Sequence, residues 1–243
     1  MPLGFVGVIA LMSLVAGATA SIVGFGIGSL LTPLMAARFG TDVAVAAVAL
    51  PHLSGGLLRG WRLRESVDRR VLARFGILSA IGGLIGALVF AHLAPAALDR
   101  VLGALLVLTA TAGMTGWSER WRPSGPLVWA LGALSGFFGG VIGNQGGLRA
   151  AALSAFGLKP TVFVATSTVI GVMIDVVRTP IYLYRAGAEL VGIWPIVALA
   201  VGGVLAGTLI GERLLLGLSR ERFRQIVSIA VGLLGLWFLL RPA

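Results

Sequence analysis

Residues 140–153 read GVIGNQGGLRAAAL and lie inside one of the most apolar regions of the chain. Each glycine weakens a helix by roughly 0.5–1 kcal/mol relative to alanine. An arginine at mid-bilayer costs about 2.5–3.5 kcal/mol on insertion scales, and Asn144 and Gln145 add further polar groups. Both features together predict a helix broken inside a membrane, with Asn144, Gln145 and Arg149 turned towards something that needs them.

The rest of the chain supplies the membrane. Of 243 residues, 58% are hydrophobic and 12% charged, with a mean hydropathy of +1.00. A soluble domain is nearer 25% charged. Apolar segments of roughly 20 residues, the length that crosses a bilayer, recur along nearly the whole chain. The expected fold class is an all-α polytopic membrane protein, a single transmembrane domain over 1–243 with no sizeable soluble part. With no cysteine, disulfides, iron–sulfur clusters and thiol catalysis are excluded. His52 and His92 stand far apart, so no metal is expected, nor any other cofactor. The net charge of +10 falls mostly in short loops, where it orients a protein in lipid and does not imply nucleic acid. The apolar N-terminus has no Lys or Arg before its apolar run, unlike a signal peptide, and reads as mature protein.

Displaced by about 119 residues, the sequence matches itself, which marks an internal duplication. Gly17, Gly24 and Gly28 fall on Gly136, Gly143 and Gly147. Val45-Ala46 falls on Val164-Ala165, and Arg59 falls on Arg178. Repeat 1 covers about 4–117 and repeat 2 about 127–240. Each opens with an interrupted segment, 4–37 and 127–157, too long for one span unless steeply tilted. The breaks fall near Gly24-Phe25-Gly26 and between Gly143 and Gly147. Three ordinary spans follow each, at 42–58, 75–93 and 98–117, then 161–184, 191–211 and 222–240.

Loop charge discriminates two topologies. If all eight segments cross, the basic loop residues divide ten to seven. If each interrupted segment is re-entrant, thirteen share one face, and Arg38, Arg100, Arg185 and Arg241 share the other. The second division obeys the positive-inside rule far better. It makes the halves inverted repeats and puts both termini outside the cytoplasm. Eight full spans with a weak bias remain the alternative.

A duplicated membrane protein with GFGIGSLLTPLM at 24–35 and GNQGGLRAAALSAFGLKPTVFVATS at 143–167 resembles the TauE/SafE family of sulfite and organosulfonate exporters. The resemblance covers essentially the whole chain. It implies movement of small sulfur oxyanions or sulfonates across a bacterial inner membrane, usually outward. One departure is Arg149-Ala150-Ala151-Ala152, where relatives often have a more apolar stretch with a proline, as Thr32-Pro33 does in the first half. That leaves the substrate open.

The residues point the same way independently. Two symmetrically placed broken helices are the best sequence pointer to a transporter's site. Backbone at a break survives in hydrocarbon only where it lines a cavity or meets a partner. Helix N-termini beginning near Gly26 to Gly28, beyond the break at Gly24, and near Gly146 and Gly147 offer amide donors to an anion, and the Ser29 hydroxyl is a weaker candidate. The Arg149 guanidinium suits an oxyanion or a carboxylate. The bland alternative has Arg149 snorkelling to an interface or pairing with Asp175. Asp175 and Arg178 share a helix face. They are candidates for a proton carrier and a second anion ligand, or for a plain ion pair. Thr166 and Ser167 offer hydroxyls to the substrate or to a neighbouring helix, and Thr32 is a weaker candidate. His52 reads as a buried, satisfied histidine in preference to a pH-sensitive gate. Arg59, beside Trp61 and Arg62, reads as a loop anchor.

Together these features describe an inner-membrane transporter of a small sulfur-containing anion, working by alternating access with possible proton coupling through Asp175. An anion channel of the same architecture is the nearest rival. A membrane-embedded enzyme is disfavoured, since no nucleophile–base pair or metal cluster is evident. The expected partners are the anion and the lipid bilayer, with no oligomeric state implied.

Overall fold

The computed structural model describes residues 2–116, 121, 123–143, 146–214 and 220–240, apart from the side chains of 212–214, 220–224 and 226. Asn144 and Gln145 lie outside the described residues. The described chain is all helical, with no strand. Its helices are α1 (Leu3–Val23), α2 (Ile27–Phe39), α3 (Thr41–Arg62), α4 (Arg69–Phe90), α5 (Pro95–Thr115), α6 (Pro126–Ile142), α7 (Gly146–Leu153), α8 (Pro160–Gly192), α9 (Trp194–Leu214) and α10 (Arg220–Leu240). Among the described residues six helices, α1, α3, α4, α5, α8 and α9, are long and apolar enough to cross a membrane. α4 leaves Ile77, Ile81, Leu84, Ile85 and Leu88 exposed, the expected state of a face whose solvent is lipid.

Both expected breaks are present. α1 ends at Gly24 (φ 85°) and α2 starts after Gly26 (φ 129°). α6 ends at Gly143 (φ 71°). These positive values are open to glycine and costly for other residues. The two legs of each broken segment return towards their starting side. Phe5 near the start of α1 meets Phe39 at the end of α2, with ring centroids 5.7 Å apart. Trp129 near the start of α6 meets Phe156, just beyond α7, at 5.8 Å. Ser154 Oγ also donates to the Trp121 carbonyl at 2.8 Å. Each broken segment is a hairpin.

The halves interlock. α1 packs on α9, and α6 packs on α4, so each hairpin lies against the fourth helix of the other half. Glycines set these contacts: a Cβ on Gly207 would strike the Leu14 carbonyl, and one on Gly140 the Gly83 carbonyl. Gly203 lies by Ser13, Gly207 by Leu14 and Gly211 by Ala18, so α1 and α9 run parallel. Gly82 lies by Ala133 and Gly86 by Phe137, so α4 and α6 are parallel too. The self-equivalent pairs oppose each other. His52 meets Asp175 while Arg59 meets Thr168, making α3 and α8 antiparallel. Gly103 lies by Leu239 and Gly113 by Ser228, making α5 and α10 antiparallel.

One element start differs from expectation. α4 begins at Arg69, where Asp68 Oδ1 accepts from the amides of Arg70 and Val71, and its next turn, Leu72–Gly76, is π-helical. The expected start at 75 missed this cap because the arginines around it mask the apolar pattern. The expected span 161–184 ends close to a kink at Ala186 (φ −123°, ψ 15°), beyond which helix resumes and runs to Gly192.

Candidate functional site

The two hairpin tips meet inside the bundle. Phe25 of the first tip packs against Gly146 of the second so closely that a Cβ on Gly146 would collide with its ring. Gly24 lies against Val164 and Ser167 of α8. Around this junction the structure buries charge: Arg149 is 1% exposed, Arg178 1%, Arg59 4%, His52 7% and Asp175 not at all.

Helix α8 organises these groups along one face. Ser167 Oγ accepts from Arg149 Nε at 3.0 Å, and Thr168 Oγ1 accepts from Arg59 Nε at 2.9 Å. One turn on, Gly171 leaves room for the Arg149 guanidinium, whose Nη1 would lie 3.2 Å from a Cβ there. Asp175 follows. Its Oδ2 meets His52 Nδ1 at 2.6 Å, and its Oδ1 accepts from Arg178 Nε at 2.9 Å and meets Nη2 at 2.7 Å. The Asp175–Arg178 pairing matches expectation. The His52 bond joins α3 of one half to α8 of the other.

Arg178 also fastens the second tip. Its Nη1 donates to the Gly139 carbonyl, and Tyr182 OH donates to the Gly140 carbonyl. Both carbonyls belong to the last turn of α6; that of Gly139 also accepts from the Gly143 amide at 2.9 Å, and carbonyls at a helix end are otherwise satisfied only from outside the helix. A cation at that end also meets the negative pole of the helix dipole. The guanidinium stacks over Tyr182, 5.4 Å from the ring centroid. All three nitrogens of Arg178 are thus engaged by protein.

Arg149 and Arg59 are different. Each has a buried Nη1 without a hydrogen-bond partner among the described residues. Neither reaches a carboxylate within ion-pair distance there. Arg149 therefore neither snorkels to an interface nor pairs with Asp175. The loop-anchor reading of Arg59 is corrected: it is buried against α8, where it bonds Thr168. Its neighbours Trp61, Arg62 and Arg64 are exposed or nearly so, and their run made Arg59 look like part of the loop. The one usable signal was its alignment with Arg178 in the repeat.

Hydroxyls and glycines fill in around the cations. Thr166 is buried, and its Oγ1 accepts from the Asp68 amide at 2.9 Å, tying the loop before α4 to the site. Beside that loop lies a groove of about 560 Å³ lined by Asp68, Arg70, Arg74, Trp129 and Phe156 among others. Gly147 faces Thr109 of α5. Ser29 is buried in the first turn of α2, and Thr32 Oγ1 has no partner among the described residues.

A family model described as "Sulfite exporter TauE/SafE" matches residues 9–238, nearly the whole chain. The chain belongs to the TauE/SafE family. No curated protein and no solved structure matches it. TauE/SafE is a transporter family, and that membership accords with a multi-pass membrane chain carrying six apolar helices and a small anionic substrate.

Proposed function

We propose that this TauE/SafE member carries a small sulfur-containing anion, sulfite or an organosulfonate, outward across the bacterial inner membrane. The binding site lies where the hairpin tips meet, with Arg149 as the principal ligand. One observation carries this reading: a fully buried guanidinium, held by Ser167 and backed by Gly171, keeps a donor without a protein partner among the described residues. A buried charge left uncompensated is strongly unfavourable, so an anion arriving there gains what the protein does not supply. The amides of Gly26, Gly146 and Gly147, with the side chains of Asn144 and Gln145, complete the donor set, whereas the Gly24 amide donates to the Ala20 carbonyl at 2.9 Å. Thr166 and Ser167 orient it, and Arg178 holds the second tip in place.

The halves act as inverted repeats of about 4–117 and 127–240. Support comes from the opposed directions of α3 and α8 and of α5 and α10, and from the reciprocal packing of each hairpin on the other half. The basic loops then face the cytoplasm and both termini lie outside it. Alternating access follows as rocking of the interlocked halves about the junction, with no ATP-binding motif to drive it. Asp175 is the proton carrier, sharing its charge between His52 of one half and Arg178 of the other.

Purified protein is screened by thermal shift against sulfite, sulfate, thiosulfate, taurine, sulfoacetate and simple carboxylates. Stabilisation by the sulfur anions above the carboxylates is expected, and no stabilisation by any anion would overturn the proposal. Flux into liposomes that saturates and is accelerated by anion on the opposite side separates a carrier from a channel.

A further inference from the structure

Charge around the junction does not balance, and the imbalance has a definite size. Arg178 is neutralised by Asp175 in a buried, two-point contact. The only other carboxylate near the α8 face among the described residues is that of Asp68, which caps α4. Arg59 and Arg149 are left as two buried cations, each with one protein acceptor and one free Nη1 among the described residues. Their acceptors, Thr168 and Ser167, are consecutive residues of α8. One comes from α3 in the first half and the other from α7 in the second.

We infer that Arg59 is a second anion ligand and that the site is built for a doubly charged oxyanion, pinched between Arg59 and Arg149. This rests on the anion site proposed above and adds a rule of charge. Two cations held together in low dielectric repel, and a single negative charge leaves one of them uncompensated. A dianion such as thiosulfate, sulfate or fully ionised sulfite cancels both. A sulfonate carries one charge, and an aminosulfonate offsets that one with its ammonium. The two hydroxyls each hold one Nε, so each guanidinium keeps its Nη1 for the ligand.

The test measures binding of thiosulfate, sulfate and methanesulfonate to purified wild type and to Arg59→Gln, Arg59→Lys and Arg149→Leu by calorimetry at fixed ionic strength. Each variant is first matched to wild type in thermal unfolding. Wild type is expected to bind the two dianions at least tenfold tighter than methanesulfonate. Arg59→Gln, which retains a donor for Thr168, weakens thiosulfate at least tenfold more than methanesulfonate. Arg59→Lys keeps most of the preference. Equal wild-type affinity for dianion and monoanion, or an equal loss of both in Arg59→Gln, overturns the charge rule. If Arg149→Leu then still abolishes binding of both, the anion site itself stands. If wild type binds none of the three, the anion site falls with the rule. Should Arg59→Gln not fold, the wild-type dianion preference and the Arg59→Lys result decide.

Discussion

A carboxylate that bonds an imidazole from one helix and a guanidinium from its own is hard to replace. Removing Asp175 as Asp175→Asn leaves Arg178 as a third uncompensated cation, and breaking a buried pair in this way costs about 3–5 kcal/mol. Thermal unfolding of Asp175→Asn should therefore fall well below wild type, while Asp175→Asn with Arg178→Met should recover part of the loss. If Asp175 carries the proton, flux through surviving Asp175→Asn protein loses its pH dependence; wild-type flux that is itself flat with pH ends that role. At this scale the sequence conveyed what periodicity and membrane cost can convey. Arg149 and Asp175 stood out because charge among apolar residues is expensive, and a spacing of three placed Arg178 beside Asp175. Arg59 did not stand out, because three residues from a helix end a buried arginine and a loop arginine look alike. The bond between His52 and Asp175, 123 residues apart, has no local signature at all.

Helices in this protein meet backbone to backbone, because without a hydrophobic drive between helices in lipid close packing supplies association. The α1–α9 and α4–α6 seams consist of glycines facing carbonyls. Gly207→Val and Gly140→Val should each separate a hairpin from its supporting helix. The predicted outcome is a loss of several degrees in unfolding midpoint together with loss of anion-dependent stabilisation. Gly202→Ala, with nothing within 4 Å of its Cβ, should be silent in both measurements. The sequence does not show the partners of these glycines, since the seams join segments far apart in the chain. It located both hairpin breaks, because a glycine cluster inside an apolar run too long for one span interrupts the helix there. Element ends were less legible: the Asp68 cap is local, but the arginines around it mask the apolar pattern that would extend the span back to it.

A molecule without cysteine lends itself to mapping in the membrane. Single cysteines at Arg64 and Ser124 should label only from the cytoplasmic side, and those at His92 and Glu189 only from the opposite side. Labelling of Arg64→Cys and Glu189→Cys from the same side, as eight full spans would give, would refute the inverted arrangement. The proposed duplication rests on glycines in register in the sequence. The proposed inversion of the halves was reachable only through loop charge, and the antiparallel pairs α3–α8 and α5–α10 are in keeping with it. Transport itself is the property of the whole, and in the proposal above it hinges on Arg149. The direct measurement is concentration-dependent sulfite flux in proteoliposomes holding wild type or Arg149→Leu, each verified as folded by thermal unfolding. Loss of a charge-assisted hydrogen bond worth about 1.5–3 kcal/mol predicts half-saturation raised roughly tenfold to a hundredfold. Half-saturation and maximal flux equal to wild type in the folded variant would contradict the account.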